Sequence, residues 1–380
     1  MIYIDVSPAV HSRAGLGRYA EKLAAEVSKL RDVSLFHNID HNARMPKSLE
    51  HLSATTVKAG YKPWRMAVLL SQWSQIGSKA LNRKLPDGTI FHATEHLLAP
   101  VTNIPTVITI HDIIPHLFPE YHTRLNYNYL KVAMPLYCQR ANAIITISEA
   151  SKFDLVNHYK LPAEKITVIP EAAAEHFFVP EPADIDRVRA KYGLPNNYLL
   201  HIGTIEPRKN LDRLVDALVI LRATYPDLKL ILAGSKGWLV DKFFERLKSD
   251  QLEGIVISPG WVDDKDLPGL IAGARLGVQP SLYEGFGLPI LEHMACGQVV
   301  VCSNRSSLPE VGGDAAAYFN PESVDEMVSV IDRLLSSQDE WTKRRELGLK
   351  QAAKFSWQRT AAETVDLYDE IRDRWKKGKR

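Results

Sequence analysis

The sequence predicts an α/β protein of two doubly wound, parallel-sheet domains, and three observations carry that expectation. Its 380 residues exceed what one core of about 250 residues holds together. Short β-branched runs alternate with helix-period segments, the pattern of repeated βα units. That rhythm stops at a proline-rich stretch around Pro170, Pro180 and Pro182 and then starts again.

In the first half, strands are expected at Ile2 to Val6, Thr89 to His92, Thr106 to His111, Ala143 to Ser148 and Ile166 to Ile169. The second half repeats them at Tyr198 to Ile202, Leu228 to Ala233, Ile255 to Ser258, Leu276 to Gln279 and Val299 to Cys302, with a helix over Asn210 to Thr224. The domains are therefore drawn at residues 1–170 and 183–357, joined by a linker over 171–182. Residues 358–376 form a terminal helix with Ala361, Val365, Tyr368 and Ile371 on one face, placed to cross back to the first domain.

Composition narrows the function classes. Hydrophobic residues at 45% and charged residues at 24% are globular values, so a disordered or fibrous chain is excluded. A net charge of +2 leaves no field for gripping nucleic acid. Residues 1–180 carry 19 Lys+Arg against 15 Asp+Glu and the remainder 28 against 30, so the first half is the basic one and points at an anionic acceptor or membrane surface. The start Met1-Ile2-Tyr3-Ile4-Asp5-Val6 has no basic stretch before an apolar run and no segment reaches membrane-span length, which predicts a soluble cytoplasmic protein. Cys138, Cys296 and Cys302 are odd in number and scattered, without disulfide or zinc spacing.

Residues 64–85 mix Met66, Leu69, Leu70, Trp73, Ile76 and Leu81 with Arg65, Lys79, Arg83 and Lys84. Two readings stay open. One is an interfacial helix giving peripheral contact with acidic lipid; the other, commoner one is a core-facing helix with a solvated basic face.

The sharpest motif is Glu284-Gly285-Phe286-Gly287-Leu288-Pro289-Ile290-Leu291-Glu292. A strand runs into two glycines and then a helix with Pro289 in its first turn, so free backbone N–H groups and a positive helix end meet where a phosphate binds. Glu284 and Glu292 would line the same crevice and accept hydrogen bonds from sugar hydroxyls. A second motif, Gly203-Thr204-Ile205-Glu206-Pro207-Arg208-Lys209-Asn210, follows the first strand of the second domain. Cations at a helix start oppose the helix dipole unless an anion is bound, so Arg208 and Lys209 read as anion-binding residues. A third, Ser12-Arg13-Ala14-Gly15-Leu16-Gly17-Arg18-Tyr19, lets backbone approach a ligand at Gly15 and Gly17; with Ala20 where a dinucleotide fingerprint needs glycine, a dehydrogenase fits poorly. His111-Asp112 closes a buried strand at its carboxyl end, where ligands of open α/β sheets gather.

With these motifs the sequence resembles glycosyltransferase family 4 over nearly its whole length. That resemblance implies the GT-B fold, two Rossmann-like domains with an interdomain cleft, and retaining transfer from a nucleotide sugar donor to a glycan or lipid-linked acceptor. By the same resemblance Glu284 would hold donor-sugar hydroxyls and Glu292 the ribose, while Gly285, Phe286, Gly287 and Leu288 would present backbone to sugar and diphosphate. Arg208 and Lys209 would face the leaving diphosphate, with Gly203 and Thr204 beside it; family members often carry Arg where Thr204 stands, which leaves the charge clamp to Arg208 and Lys209. His111 would face the donor sugar and Asp112 would lie near the acceptor, and Gly260-Trp261-Val262 would supply backbone contacts to the base. The departing phosphate, not a protein nucleophile, would take the acceptor's proton. The run Gly15 to Tyr19 and the Pro207-Arg208-Lys209-Asn210 stretch look most like bacterial mannosyltransferases of surface polysaccharide assembly, which makes GDP-mannose the first donor and a UDP-hexose the second.

Three further features are read as structural. Asp264-Lys265-Asp266 resembles a metal-binding triplet but is expected to cap a helix. Ser148 is expected to cap the helix after Ile147. His92 and His96 lack a third ligand, so neither metal nor cofactor is assigned. A sugar-nucleotide epimerase and a catalytically silent nucleotide-sugar-binding module are the competing readings.

Overall fold

A computed structural model describes residues 1–11, 14–39, 43–74, 77–85, 88–249 and 252–378, leaving the side chains of residues 14 and 74 aside. The chain divides into two compact units, Met1–Glu171 with Trp357–Arg380, and Ala172–Ser356.

The first unit holds a parallel sheet of β1 (Ile2–Asp5), β2 (Val33–Ile39), β3 (Ala54–Lys58), β4 (Ile90–Ala93), β5 (Thr106–Thr109), β6 (Ala143–Thr146) and β7 (Ile166–Val168), in the order β3-β2-β1-β4-β5-β6-β7. The second unit builds β8 (Tyr198–Ile202), β9 (Lys229–Ala233), β10 (Val256–Gly260), β11 (Leu276–Gln279), β12 (Val300–Ser303) and β13 (Ala317–Phe319), in the order β10-β9-β8-β11-β12-β13. In both sheets the order reverses beside the first strand, between β1 and β4 and between β8 and β11. Such a switch point opens a crevice at the strands' carboxyl ends. Two Rossmann-like domains are therefore present.

The ten expected strands are all there, whereas β2, β3 and β13 escaped the sequence reading. β2 buries Ser34, His37 and Asn38 among its apolar residues, which hides the continuous apolar run of a central parallel strand. β3 is a partly exposed edge strand and β13 has only three residues.

Residues 172–181, expected as a linker, pack on the second unit instead. Ala174 and Phe177 are buried with Val188, Tyr198 and Leu200, because a short Ala-rich stretch offers apolar surface that a free linker would leave in water. The terminal helix Trp357–Gly378 buries Ala361, Val365, Tyr368 and Ile371 and groups with the first unit. Tyr368 Oη meets His92 Nδ1 at 2.6 Å and Thr360 Oγ1 donates to the Pro170 carbonyl at 2.7 Å.

The mixed segment at 64–85 divides its apolar residues. Trp64, Val68, Leu69 and Leu81 are buried while Met66, Leu70 and Trp73 are exposed; Ile76 lies outside the described residues. No helix among the described residues is long and apolar enough to cross a membrane.

Candidate functional site

The site of the second unit is built from the turns that follow β8 and β11, the two strands flanking its switch point. After β8 the chain makes a one-turn helix at Pro207–Lys209, ended by Asn210 in the left-handed region at φ 57°. That conformation aims the Asn210 amide across the sheet, where Nδ2 donates to the carbonyls of Pro280 at 3.0 Å and Pro321 at 2.7 Å. The Leu282 N–H donates back to the Arg208 carbonyl at 2.9 Å. The two motif loops are thereby stitched together.

Their side chains meet at Glu284. Lys209 Nζ donates to Glu284 Oε1 at 2.6 Å and Arg208 donates to Oε2 at 2.8 Å, while Ser281 Oγ donates to Oε1 at 2.6 Å. Arg208 also donates to the Glu206 carboxylate and to the Tyr283 carbonyl. Burial opposes ionisation of Glu284, but the Arg208 and Lys209 charges outweigh it and hold the carboxyl well below the usual range. Glu284 and Lys209 are both buried, so this cluster is fixed in place by a low-dielectric setting.

Beside it a helix begins. Gly287 sits at φ 111° as the cap of Leu288–Ala295, with Pro289 in the first turn and no side-chain cap. A Cβ there would come 2.7 Å from Leu308 Cδ2. Ser307 Oγ lies 2.9 Å from the Glu284 carbonyl and 2.7 Å from that of Phe286, and Ser306 Oγ accepts the Glu284 N–H at 2.8 Å. The Gly285–Leu288 backbone is thus held from behind. Phe286 itself is buried edge-on to Phe355, and Glu292 is buried in the second turn. Chemically, a fixed pair of cations and the positive pole of a helix are brought to one carboxyl-end crevice, the arrangement that binds phosphates.

The strand ends alongside are glycines. Gly203 N–H donates to the Ala233 carbonyl at 3.0 Å, and Gly234 N–H to the Gly260 carbonyl at 2.9 Å. A Cβ on Gly234 would stand 2.0 Å from the Gly203 oxygen, so β8 and β9 close to this distance only with glycine. Gly260 ends β10, Trp261 is 61% exposed and Val262 is buried, so Trp261 offers an open aromatic face. Thr204 lies next to Gly237.

In the first unit His111 is half-buried, two residues past the end of β5. Its Nδ1 lies 3.0 Å from Glu171 Oε1 and its Nε2 3.1 Å from the Thr94 carbonyl. Burial pulls the imidazole toward neutrality, but the hydrogen bond and charge of Glu171 win and raise its pKa above the usual value. Tyr19 packs edge-on to His111 with ring centroids 4.6 Å apart and reaches Thr109 Oγ1 at 3.0 Å. Asp112 Oδ1 accepts the Ile114 N–H at 2.9 Å. Gly17 lets its helix pass close to Pro8, whose carbonyl would lie 3.0 Å from a Cβ, whereas Gly15 faces open space. Ser12 and Arg13 lie outside the described residues.

Several participants were missed by sequence reasoning. Glu206 stood inside a quoted motif, and its acidic side chain two residues before Arg208 was the available signal. Ser306, Ser307, Gly234 and Glu171 carry no local signal, since each acts on a residue distant in sequence, whereas Ser281 lies only three residues before the Glu284 it bonds.

Among the structural features, Ser148 caps its helix as expected, accepting the Ser151 N–H at 3.1 Å. Asp266 does not cap with its side chain. Its buried carboxylate takes Arg187 at 2.7 Å and Lys191 at 2.6 Å instead, which holds its pKa down to about 2 against the opposing effect of burial. Two cations outbid one backbone N–H. His92 bonds Tyr368 and Thr109, and burial pushes its pKa down to about 3.

Comparisons with known proteins agree with this architecture. Residues 13–175 match the model of Glycosyltransferase Family 4, and residues 184–354 that of Glycosyl transferases group 1. The chain is 33% identical to O-antigen chain mannosyltransferase B of Escherichia coli, over 97% of this chain and 99% of that one. It is also 33% identical to the serotype-specific mannosyltransferase WbdA of Escherichia coli, over 72% of this chain and 34% of that longer one. Among solved structures, sucrose-phosphate synthase from Thermosynechococcus elongatus superposes with a TM-score of 0.80 at 21% identity, covering 97% of this chain and 98% of that chain. WaaG, a glycosyltransferase involved in lipopolysaccharide biosynthesis, does so with a TM-score of 0.69 at 18% identity, covering 93% and 96%.

Proposed function

We propose that this chain, which belongs to glycosyltransferase family 4, transfers a mannosyl group with retention from GDP-mannose to a glycan or lipid-linked glycan of a cell-surface polysaccharide. The relatives support mannose: besides the two Escherichia coli proteins, a Mycobacterium tuberculosis relative is described as GDP-mannose-dependent and is 33% identical over 46% of this chain. A UDP-hexose is the second donor. We assign the reaction to the cytoplasm, on the inner face of the membrane.

The single observation that carries the reading is the Arg208–Lys209–Glu284 cluster beside the Leu288–Ala295 helix start. When the bond to the donor sugar breaks, negative charge grows on the departing diphosphate. Cations and helix N–H groups already fixed there stabilise it without reorganising, the kind of effect worth about 3 kcal/mol per donor group. Glu284 accepts hydroxyls of the sugar, and Trp261 offers its exposed face to the base. The diphosphate itself is the base for the acceptor's proton.

A thermal-shift comparison tests this. GDP-mannose at 100 times its dissociation constant should add about 2.7 kcal/mol of stability, more than a UDP-hexose at the same concentration. Equal or absent shifts would remove the donor assignment.

A further inference from the structure

The cation pair of the second unit is offset by carboxylates of its own. Arg208 donates to Glu206 and to Glu284 Oε2, the latter at 2.8 Å, and Lys209 Nζ donates to Glu284 Oε1 at 2.6 Å. Two positive and two negative side chains thus run in one line of contacts, Glu206 to Arg208 to Glu284 to Lys209. Glu206, Lys209 and Glu284 are buried and the Arg208 side chain is 12% exposed. Under the proposed transfer Glu284 accepts sugar hydroxyls, while Glu206 has no assigned part.

Glu206 does not serve as a helix cap. It stands in extended backbone at φ −146° before the one-turn helix Pro207–Lys209, where an acidic side chain commonly accepts the first N–H groups, yet its side chain makes no such bond. Its place is fixed by the residue before it. Buried Ile205 donates its N–H to the Ser235 carbonyl at 3.0 Å and accepts the Gly237 N–H at 2.9 Å, which fastens this turn to the loop after β9. The carboxylate is left to the Arg208 guanidinium. Buried cations without counter-charges would destabilise the empty protein and would also hold a departed diphosphate in place. We infer that Glu206 is a positioning residue: it holds the Arg208 fork against Glu284, and its charge keeps the diphosphate loosely enough bound to leave after transfer. The inference rests on the reading that this site takes a nucleoside diphosphate.

The experiment is calorimetric titration of wild type and Glu206→Gln with GDP, UDP and guanosine. Glutamine keeps an oxygen for Arg208 but removes the charge. The nucleoside diphosphate that wild type binds should bind Glu206→Gln at least about tenfold tighter and dissociate correspondingly more slowly, while guanosine affinity stays the same. A merely structural Glu206 would have the opposite sign, since a loosened Arg208 weakens diphosphate binding. Should Glu206→Gln fail to fold, Glu206→Asp decides: it keeps the charge and should keep the wild-type affinity within about threefold, and a tenfold change in either direction overturns the inference. Wild type that binds neither GDP nor UDP removes the diphosphate reading and this inference with it. Wild type that binds one of them, with a folded Glu206→Gln that binds it equally or more weakly, overturns this inference alone.

Discussion

Lys209 Nζ lies 2.6 Å from Glu284 Oε1, both side chains buried, although 75 residues separate them. Breaking such a buried pair strands the remaining charge, so Lys209→Met should cost about 3 kcal/mol of stability besides activity. Transfer should fall about a hundredfold or more. Glu284 has a depressed folded-state pKa, so its contribution is full above the ordinary value of 4.5 and lost as pH falls through the folded value. Urea unfolding of wild type and Glu284→Gln across acid pH should show their stability difference shrinking on acidification.

Ser307 holds the carbonyls of Glu284 and Phe286 from behind the glycine loop. Ser307→Ala should cost about 1 kcal/mol in unfolding and loosen the loop. In steady-state kinetics the donor KM should rise more than kcat falls.

Gly234→Ala would force a Cβ to 2.0 Å from the Gly203 oxygen at φ 149°. The strands must part, so the variant should lose at least about 3 kcal/mol, read as a lowered Tm, and lose donor binding in a thermal-shift titration.

His111 titrates against Glu171. Its pKa is raised in the folded state, so the pair's contribution is fully present below the ordinary imidazole value of 6.5 and is lost as pH rises through the folded value. Glu171→Gln should lower the His111 midpoint, followed by NMR of the imidazole protons. Its stability deficit relative to wild type should be largest on the acid side of that midpoint.

Tyr368 meets His92 at 2.6 Å in a fully buried setting and ties the terminal helix to the first sheet. Tyr368→Phe should cost about 1–2 kcal/mol, since it leaves the His92 nitrogen without that partner. Thermal unfolding measures it.

The sequence by itself determined the fold class, the ten principal strands and the positions of Glu284, Arg208, Lys209 and His111. These are legible because strand and helix periods, and the glycines and prolines that interrupt them, are written within a few consecutive residues. Tertiary structure alone decided that Arg208 and Lys209 pair with Glu284, that Ser307 and Glu171 support the two sites, and that Asp266 serves two cations in place of a cap. Each of those contacts depends on strand order and on which polar group lies buried beside which. Local pattern carries no record of that, because the energies deciding it arise only once water is excluded and distant segments are in van der Waals contact.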